Sequence, residues 1–391
     1  MSESKTVARL RPFGSSVFAE MTKLANEHGA VNLSQGFPDF EGPAEIIDAV
    51  VRAFREGHNQ YARSMGHPEL VESIAWYRKE QFGLSYDPLT EVIVASGGTE
   101  VITSAILGLV EPGDEVILVE PFYDSYPAAV RMAGGVPRYV TLARPDFVLD
   151  RAELEAAFTE STKLLVINTP HNPTGRIFGP AERAAIAELA IRHDVMVLSD
   201  EVYEHILFDG IQHEPLAQLE GMRDRTLVVS SAGKSYSFTG WKVGWATGPA
   251  DMVRAVQAAH QFVTFSTATP IQVGLARAIR ALPSSYFTTL RMEYQARRDL
   301  MVDVLTQAGF VPSIPKGTYF VMADFSKLFD EDDRTVAVRL VKEYGVAAIP
   351  PSSFYAQRPD EAKTLLRFAF PKKRETLERA GERLMKLRSR V

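Results

Sequence analysis

Leu164-Leu165-Val166-Ile167, Asn168-Thr169-Pro170-His171-Asn172-Pro173-Thr174-Gly175, the stretch Pro180 to His193, Val195-Met196-Val197-Leu198 and Ser199-Asp200-Glu201-Val202-Tyr203 stand close together in mid-chain. The two apolar runs are continuous rather than alternating, which suits strands buried on both faces of a parallel sheet. Between them Ala184, Ile186, Leu189, Ala190 and Ile191 fall near one helical face, so this stretch reads as the crossover of a strand–helix–strand unit. Working outward, similar runs recur at Val92–Ala95, Glu115–Val119, Tyr139–Leu142, Leu227–Val229 and Val243–Thr247. Seven strands joined mostly by helices predict an α/β fold with a mainly parallel seven-stranded sheet sandwiched by helices.

Beyond Pro283 the texture changes. A charged helical stretch (Phe287 to Ala308), short strands near Tyr319–Met322 and Leu366–Phe370, and a basic final helix predict a smaller α+β domain. Leu10 to Gly42 reads as loop-rich and is expected to pack against that smaller domain. The expected division is an N-terminal segment 1–44, a large domain 45–283 and a small C-terminal domain 284–391.

The 391 residues carry 43 Lys and Arg against 49 Asp and Glu, a net charge of −6. No basic surplus is present to neutralise a phosphate backbone, so nucleic acid is not an expected partner. The absence of cysteine excludes disulfides, thiolate zinc sites and a cysteine nucleophile, and no metal site is expected. Met1-Ser2-Glu3-Ser4-Lys5 lacks the basic and apolar parts of a secretory leader. The uncharged stretch Ala255 to Ala276 is broken by His260, Pro270 and three glutamines, so it reads as a core segment and not a membrane span. A cytoplasmic location is the expectation.

In open α/β sheets ligands sit outside the carboxyl ends of the strands. After Val92–Ala95 come Ser96-Gly97-Gly98-Thr99-Glu100 and a helical pattern, where backbone N–H groups could cradle a phosphate, although most Gly-Gly turns are only turns. After Leu164–Ile167 two prolines stiffen a loop around Asn172, which is equally readable as an ordinary Asn-Pro turn. Asp200 is either a helix cap or a carboxylate that holds a proton on a heteroaromatic nitrogen. After Leu227–Val229, Lys234 stands among small residues with Lys242 eight positions on. It is either a solvated side chain or an amine poised for a lowered pKa and Schiff-base chemistry. The order of these features favours the chemical readings.

Together with Asn32-Leu33-Ser34-Gln35-Gly36-Phe37-Pro38-Asp39-Phe40, Asn59-Gln60-Tyr61, Glu120-Pro121-Phe122-Tyr123-Asp124, Thr239-Gly240-Trp241-Lys242-Val243-Gly244-Trp245, Lys316-Gly317-Thr318-Tyr319-Phe320 and Leu366-Arg367-Phe368, they make the chain resemble the class I, fold-type I pyridoxal-phosphate aminotransferases over nearly its whole length. The resemblance is to the branch with kynurenine aminotransferase I (glutamine transaminase K) and bacterial methionine aminotransferases. It implies pyridoxal 5'-phosphate bound at Lys234, which then acts as acid and base, with Asp200 paired to the ring nitrogen. Tyr203 and Asn172 are implied at the ring's 3-oxygen and Tyr123 on its face. The implied phosphate contacts are Gly98, Thr99, Ser231, Lys242 and Tyr61, the last from a second subunit. Arg367 is implied to grip the substrate carboxylate beside Asn172 and Gly36, with Phe18 and Phe265 near the side chain.

The same resemblance implies a homodimer and ping-pong transamination between a large neutral L-amino acid and a 2-oxo acid. Thr99 and Ser266, where the kynurenine enzyme has an aromatic residue and His, tilt the expectation toward methionine. Phe13, Phe37 and Phe262 are further candidates for an apolar pocket, and no obvious second arginine stands where dicarboxylate-specific relatives place one, although Arg63 and Arg11 could be argued. Two rival readings are a cysteine-conjugate β-lyase on the same site and a regulatory protein that kept the fold without turnover. Retention of Lys234, Asp200, Tyr203 and Arg367 weighs against the latter, as does the lack of a DNA-binding extension before Leu10. A nicotinamide dehydrogenase would need a Gly-x-Gly-x-x-Gly turn, and Gly97-Gly98-Thr99-Glu100 does not supply one.

Overall fold

The computed structural model describes residues 5–14 and 16–390. The reading of a missing leader falls largely on residues 1–4, outside the described residues. All seven apolar runs form strands of one sheet, in the spatial order Val92–Ala95, Gly244–Thr247, Thr226–Ser231, Met196–Asp200, Thr162–Asn168, Glu115–Glu120 and Val136–Thr141. Gly244–Thr247 pairs antiparallel with both its neighbours and the other pairings are parallel. Pro137 is tolerated because Val136–Thr141 is an edge strand.

Side chains alternate across a strand, and here each face meets a different apolar cluster. Leu164 and Val166 pack with Val101, Ile102 and Val253, whereas Leu165 and Ile167 pack with Ile186, Leu189 and Ala190. That two-sided burial is the physical reason for the continuous apolar runs. The crossover helix Pro180–Arg192 corrects the sequence reading in one respect: Ala185, Ile186, Ala187, Leu189 and Ala190 are buried. Ala184 and Ile191, seven residues apart, share the exposed face with Glu188.

A three-stranded antiparallel sheet, Leu365–Ala369, Phe320–Asp324 and Val311–Pro312, lies against the helices Tyr286–Gln307 and Arg374–Leu384. Val31–Asn32 pairs with Val346–Ala347. The stretch Leu10 to Gly42, expected from sequence to be loop-rich, also holds a helix. Val17–Glu27 is a helix, because Ser16 Oγ caps the Ala19 N–H and Met21 and Ala25, one turn apart, bury the inner face. The uncharged stretch beginning at Ala255 is divided between the helices Ala250–Val263 and Thr269–Ala281. Phe262 is 86% exposed, so it belongs to neither core nor pocket. Among the described residues no helix is long and apolar enough to cross a membrane.

Helix Gly98–Leu109 packs so closely on Ala250–Val263 that a Cβ on Gly108 would collide with the Ala255 carbonyl oxygen. Gly108→Ala should therefore cost about 1–3 kcal/mol by overpacking, despite alanine's better helix propensity. Urea unfolding checks this, and a stabilised variant would contradict the close packing.

Candidate active site

Parallel strands end at the same side of a sheet, and that side carries a cavity of about 300 Å³. Asp200 ends its strand and pairs in register with Asn168, the end of the next. Ser231 ends the strand beyond, and Lys234 sits in the single-turn helix Ala232–Ser235 that follows it. Asn172 lies in the turn after Asn168, its N–H held by Asn168 Oδ1 at 2.7 Å. Tyr123 follows the strand Glu115–Glu120. The cavity is thus lined by residues that the topology, not proximity in sequence, brings together.

One end is suited to a phosphate. Gly97, at φ 90°, precedes helix Gly98–Leu109 with no side-chain cap, so first-turn N–H groups are left free for an anion. A Cβ on residue 97 would lie 3.2 Å from Lys242 Nζ, and one on residue 244 would lie 2.6 Å from Gly98 N. Only glycine permits this approach of backbone and ammonium. Glu100, in the same turn, is drawn away by the Ser96 N–H, Ser104 and His260. Ser231 Oγ accepts the Gly233 N–H at 3.1 Å, which leaves its own proton to donate. Burial and the nearby Lys234 both lower the Lys242 pKa.

The middle of the cavity holds Lys234 and Asp200. Burial lowers the lysine's pKa, opposed by Tyr123 and Asp200, and Nζ lies 5.7 and 5.4 Å from the ring centres of Tyr203 and Tyr319. Burial pushes Asp200 up to about 6, opposed first by a hydrogen bond from Tyr126. That phenol donates to Oδ2 at 2.6 Å, and the Val202 N–H donates to Oδ1 at 3.3 Å. Tyr203 and Tyr319 stand perpendicular, 5.2 Å apart, and Tyr319 Oη donates to the Gly36 carbonyl at 2.6 Å. A Cβ on Gly36 would lie 2.6 Å from both the Tyr319 and Phe320 rings.

At the far end Arg367, 1% exposed, rises from the middle of the strand Leu365–Ala369. Nη1 donates to Asn172 Oδ1 at 3.1 Å and Nη2 to the Ser34 carbonyl at 2.9 Å. Nε is buried without a partner. Phe320, Phe18 and Phe354 surround the guanidinium at 4.1–5.1 Å. Burial pulls its pKa down to about 10. Among the described residues none of Lys234, Lys242 and Arg367 makes an ion pair.

The cavity gathers Phe18, Gly36, Gly98, Thr99, Tyr123, Asn172, Asp200, Tyr203, Ser231, Lys234, Lys242 and Arg367. It does not include Tyr61 and Phe265, which are 84% and 45% exposed and stack edge-to-face at 5.3 Å. Phe37 lines it, whereas Phe13 and Phe262 do not; Arg11 Nε and Arg63 Nε instead bond to the Thr6 and Gly66 carbonyls. Sequence reasoning missed Tyr126, Tyr319 and the part played by Asn168. The last had a signal, a polar strand end beside that of Asp200. Glu201, Glu204 and His213 also cluster, but Arg78 bonds Glu204 at 2.6 Å and His213 bonds Glu201 at 2.8 Å, so these carboxylates already have protein partners.

A family model described as aminotransferase class I and II matches residues 28–384. The solved structure of an N-succinyldiaminopimelate aminotransferase from Mycobacterium tuberculosis is similar, with TM-score 0.95 and 45% identity, covering 98% of this chain and 100% of that one. A kynurenine–oxoglutarate transaminase of Dictyostelium discoideum is 40% identical over 96% of this chain and 95% of its own length. A methionine aminotransferase of Escherichia coli is 40% identical over 97% of this chain and 98% of its own.

With a folded pKa of about 6 against 3.8, Asp200 lends stability only while protonated, and that contribution is lost as pH rises from about 4 through 6. In protein with no cofactor bound, Asp200→Asn should therefore gain on the wild type across this window, by up to about 3 kcal/mol. Urea melts at pH 4 and pH 7 measure it, and an unchanged difference would contradict the buried, disfavoured charge.

Proposed function

The chain belongs to the class I and II aminotransferases, a pyridoxal-phosphate-dependent family, and from that premise we propose that it moves the amino group of a large neutral L-amino acid, of methionine, aromatic or glutamine type, onto a 2-oxo acid. The observation that carries this reading is the count of cations. Among the described residues the cations that line the cavity are Lys234, Lys242 and Arg367, and each has a task. An amine is needed to tether the aldehyde, a charge to balance the phosphate and a guanidinium to hold the α-carboxylate. None remains for a second substrate carboxylate, and Phe18, Phe37 and Ile102 offer apolar wall instead.

The residues fit the cofactor. The free N–H groups at Gly98 and Thr99, the Ser231 hydroxyl and Lys242 suit its phosphate, and the Tyr123 ring suits a stacked heteroaromatic. Bound there, pyridoxal phosphate supplies a carbonyl that carries the amino group and a cationic ring that takes up the electrons of the substrate's Cα–H bond. Lys234 Nζ, its pKa lowered by burial, takes the proton from Cα and returns it on the other side of the exchange. Asp200 holds the proton on the ring nitrogen. Asn172 has its Oδ1 engaged by Arg367, so its amide N–H is the group left to donate to the ring's 3-oxygen, next to the Tyr203 hydroxyl. Arg367 has Nε and further N–H donors for a carboxylate, and a bidentate grip there would orient a substrate's Cα for the Lys234 amine.

A homodimer belongs to the same proposal. Tyr61 and Phe265 are exposed aromatic residues outside this chain's own cavity, available to complete the site of a second copy.

A donor panel with 2-oxoglutarate tests the substrate class. Methionine, leucine, phenylalanine and glutamine should exceed N-succinyldiaminopimelate and aspartate in kcat/KM by at least about tenfold, roughly the 1.4 kcal/mol that one unpaired carboxylate forfeits. A succinylated donor at the head of the series would overturn the neutral-substrate reading.

A further inference from the structure

We propose that Tyr126 is a positioning residue of this site, whose hydroxyl fixes the orientation and charge of the Asp200 carboxylate toward the cofactor's ring nitrogen. The inference rests on the reading of Asp200 given above. Asp200 has four lone-pair positions and two protein donors, the Tyr126 phenol at 2.6 Å and the Val202 N–H at 3.3 Å. The phenol is the shorter contact and the one side-chain donor. By occupying one side of Oδ2 it limits the directions from which an outside donor can reach that oxygen, two of the four lone-pair positions remaining open. Both residues are buried, at 4% and 3% exposure, so the bond acts in a low dielectric.

The chemistry runs one way. Burial alone would protonate Asp200, and an Asp200 that carried its own proton could not keep one on the ring nitrogen. The phenol is the largest opposing influence. Its own ionisation is suppressed by burial and by the adjacent carboxylate, so next to an ionised Asp200 it can only donate. The ring is held independently of the hydroxyl. Tyr126 sits in the first turn of helix Ser125–Ala133, perpendicular to Tyr123 with centroids 5.7 Å apart. Tyr123 in turn meets Thr99 Oγ1 at 3.3 Å. The turn that leads into this helix, closed by the Tyr126 N–H on the Tyr123 carbonyl at 3.0 Å, therefore sets both the stacking wall and the carboxylate, and Tyr126→Phe removes an oxygen without removing the packing.

The test compares dissociation of pyridoxal phosphate with that of its 1-deaza analogue, in which C–H replaces the ring nitrogen, from wild type, Tyr126→Phe and Asp200→Asn. A hydrogen bond to a charged group corresponds to about 10- to 100-fold in affinity. Tyr126→Phe should weaken the natural cofactor by that factor while leaving the analogue within about twofold, the scatter of a neutral change. The ratio of the two affinities within each variant cancels general loosening of the fold. Equal weakening of both ligands would reduce Tyr126 to packing and overturn the proposal, as would an unchanged affinity for the natural cofactor. Asp200→Asn separates the two possible failures. If it abolishes the preference for the nitrogen-bearing ring and Tyr126→Phe does not, Tyr126 alone is rejected; if Asp200→Asn keeps the preference, the role of Asp200 fails and the proposal falls with it.

Discussion

Unpaired positive charge is the constraint around which the structure is built. Lys234, Lys242 and Arg367 line one cavity, no described carboxylate pairs with any of them, and burial disfavours the charge on all three. A cation taken out of water without a partner is costly, and the partly satisfied Arg367, with its orphaned Nε, shows that cost being held rather than relieved. A ligand with a phosphate at one end and a carboxylate at the other relieves it. The rest of the fold keeps those charges apart: adjacent strands end side by side, glycines at 97 and 244 let backbone close in, and three phenylalanines enclose the buried guanidinium.

Around the cavity, the residues beside the reactive groups are anchored from behind. Glu204, one residue after Tyr203, bonds Arg78, Tyr77 and Ser230, all buried. Glu201, next to Asp200, bonds Ser199 and His213. Both strand ends that carry the central chemistry are thus tied to one buried polar network.

Much of this was legible in the sequence, for physical reasons. Strands buried on both faces must be apolar throughout, so Val92–Ala95 or Leu164–Ile167 stand out. Strand ends that abandon the pattern, at Asp200 and at Ser231 just before Lys234, mark a ligand edge. What stayed hidden depends on three dimensions. Nothing about Tyr126 in an ordinary helical turn tells that its hydroxyl meets a carboxylate 74 positions away. Tyr319 lay within a quoted motif, yet its bond to Gly36 arises only when distant segments pack. The helix Val17–Glu27 was concealed by glycine and proline on either side of it. Phe262, large and apolar, read as pocket lining or core, and it is on the surface.

The most direct measurement of the central claim is borohydride reduction of the cofactor-loaded protein followed by peptide mass mapping. A single phosphopyridoxyl group on Lys234 is the expected result, with Lys242 unmodified, as its proposed role as the phosphate's counter-charge requires. Label on Lys242, or an unlabelled Lys234 in folded, cofactor-loaded protein, would contradict the assignment of the three charges.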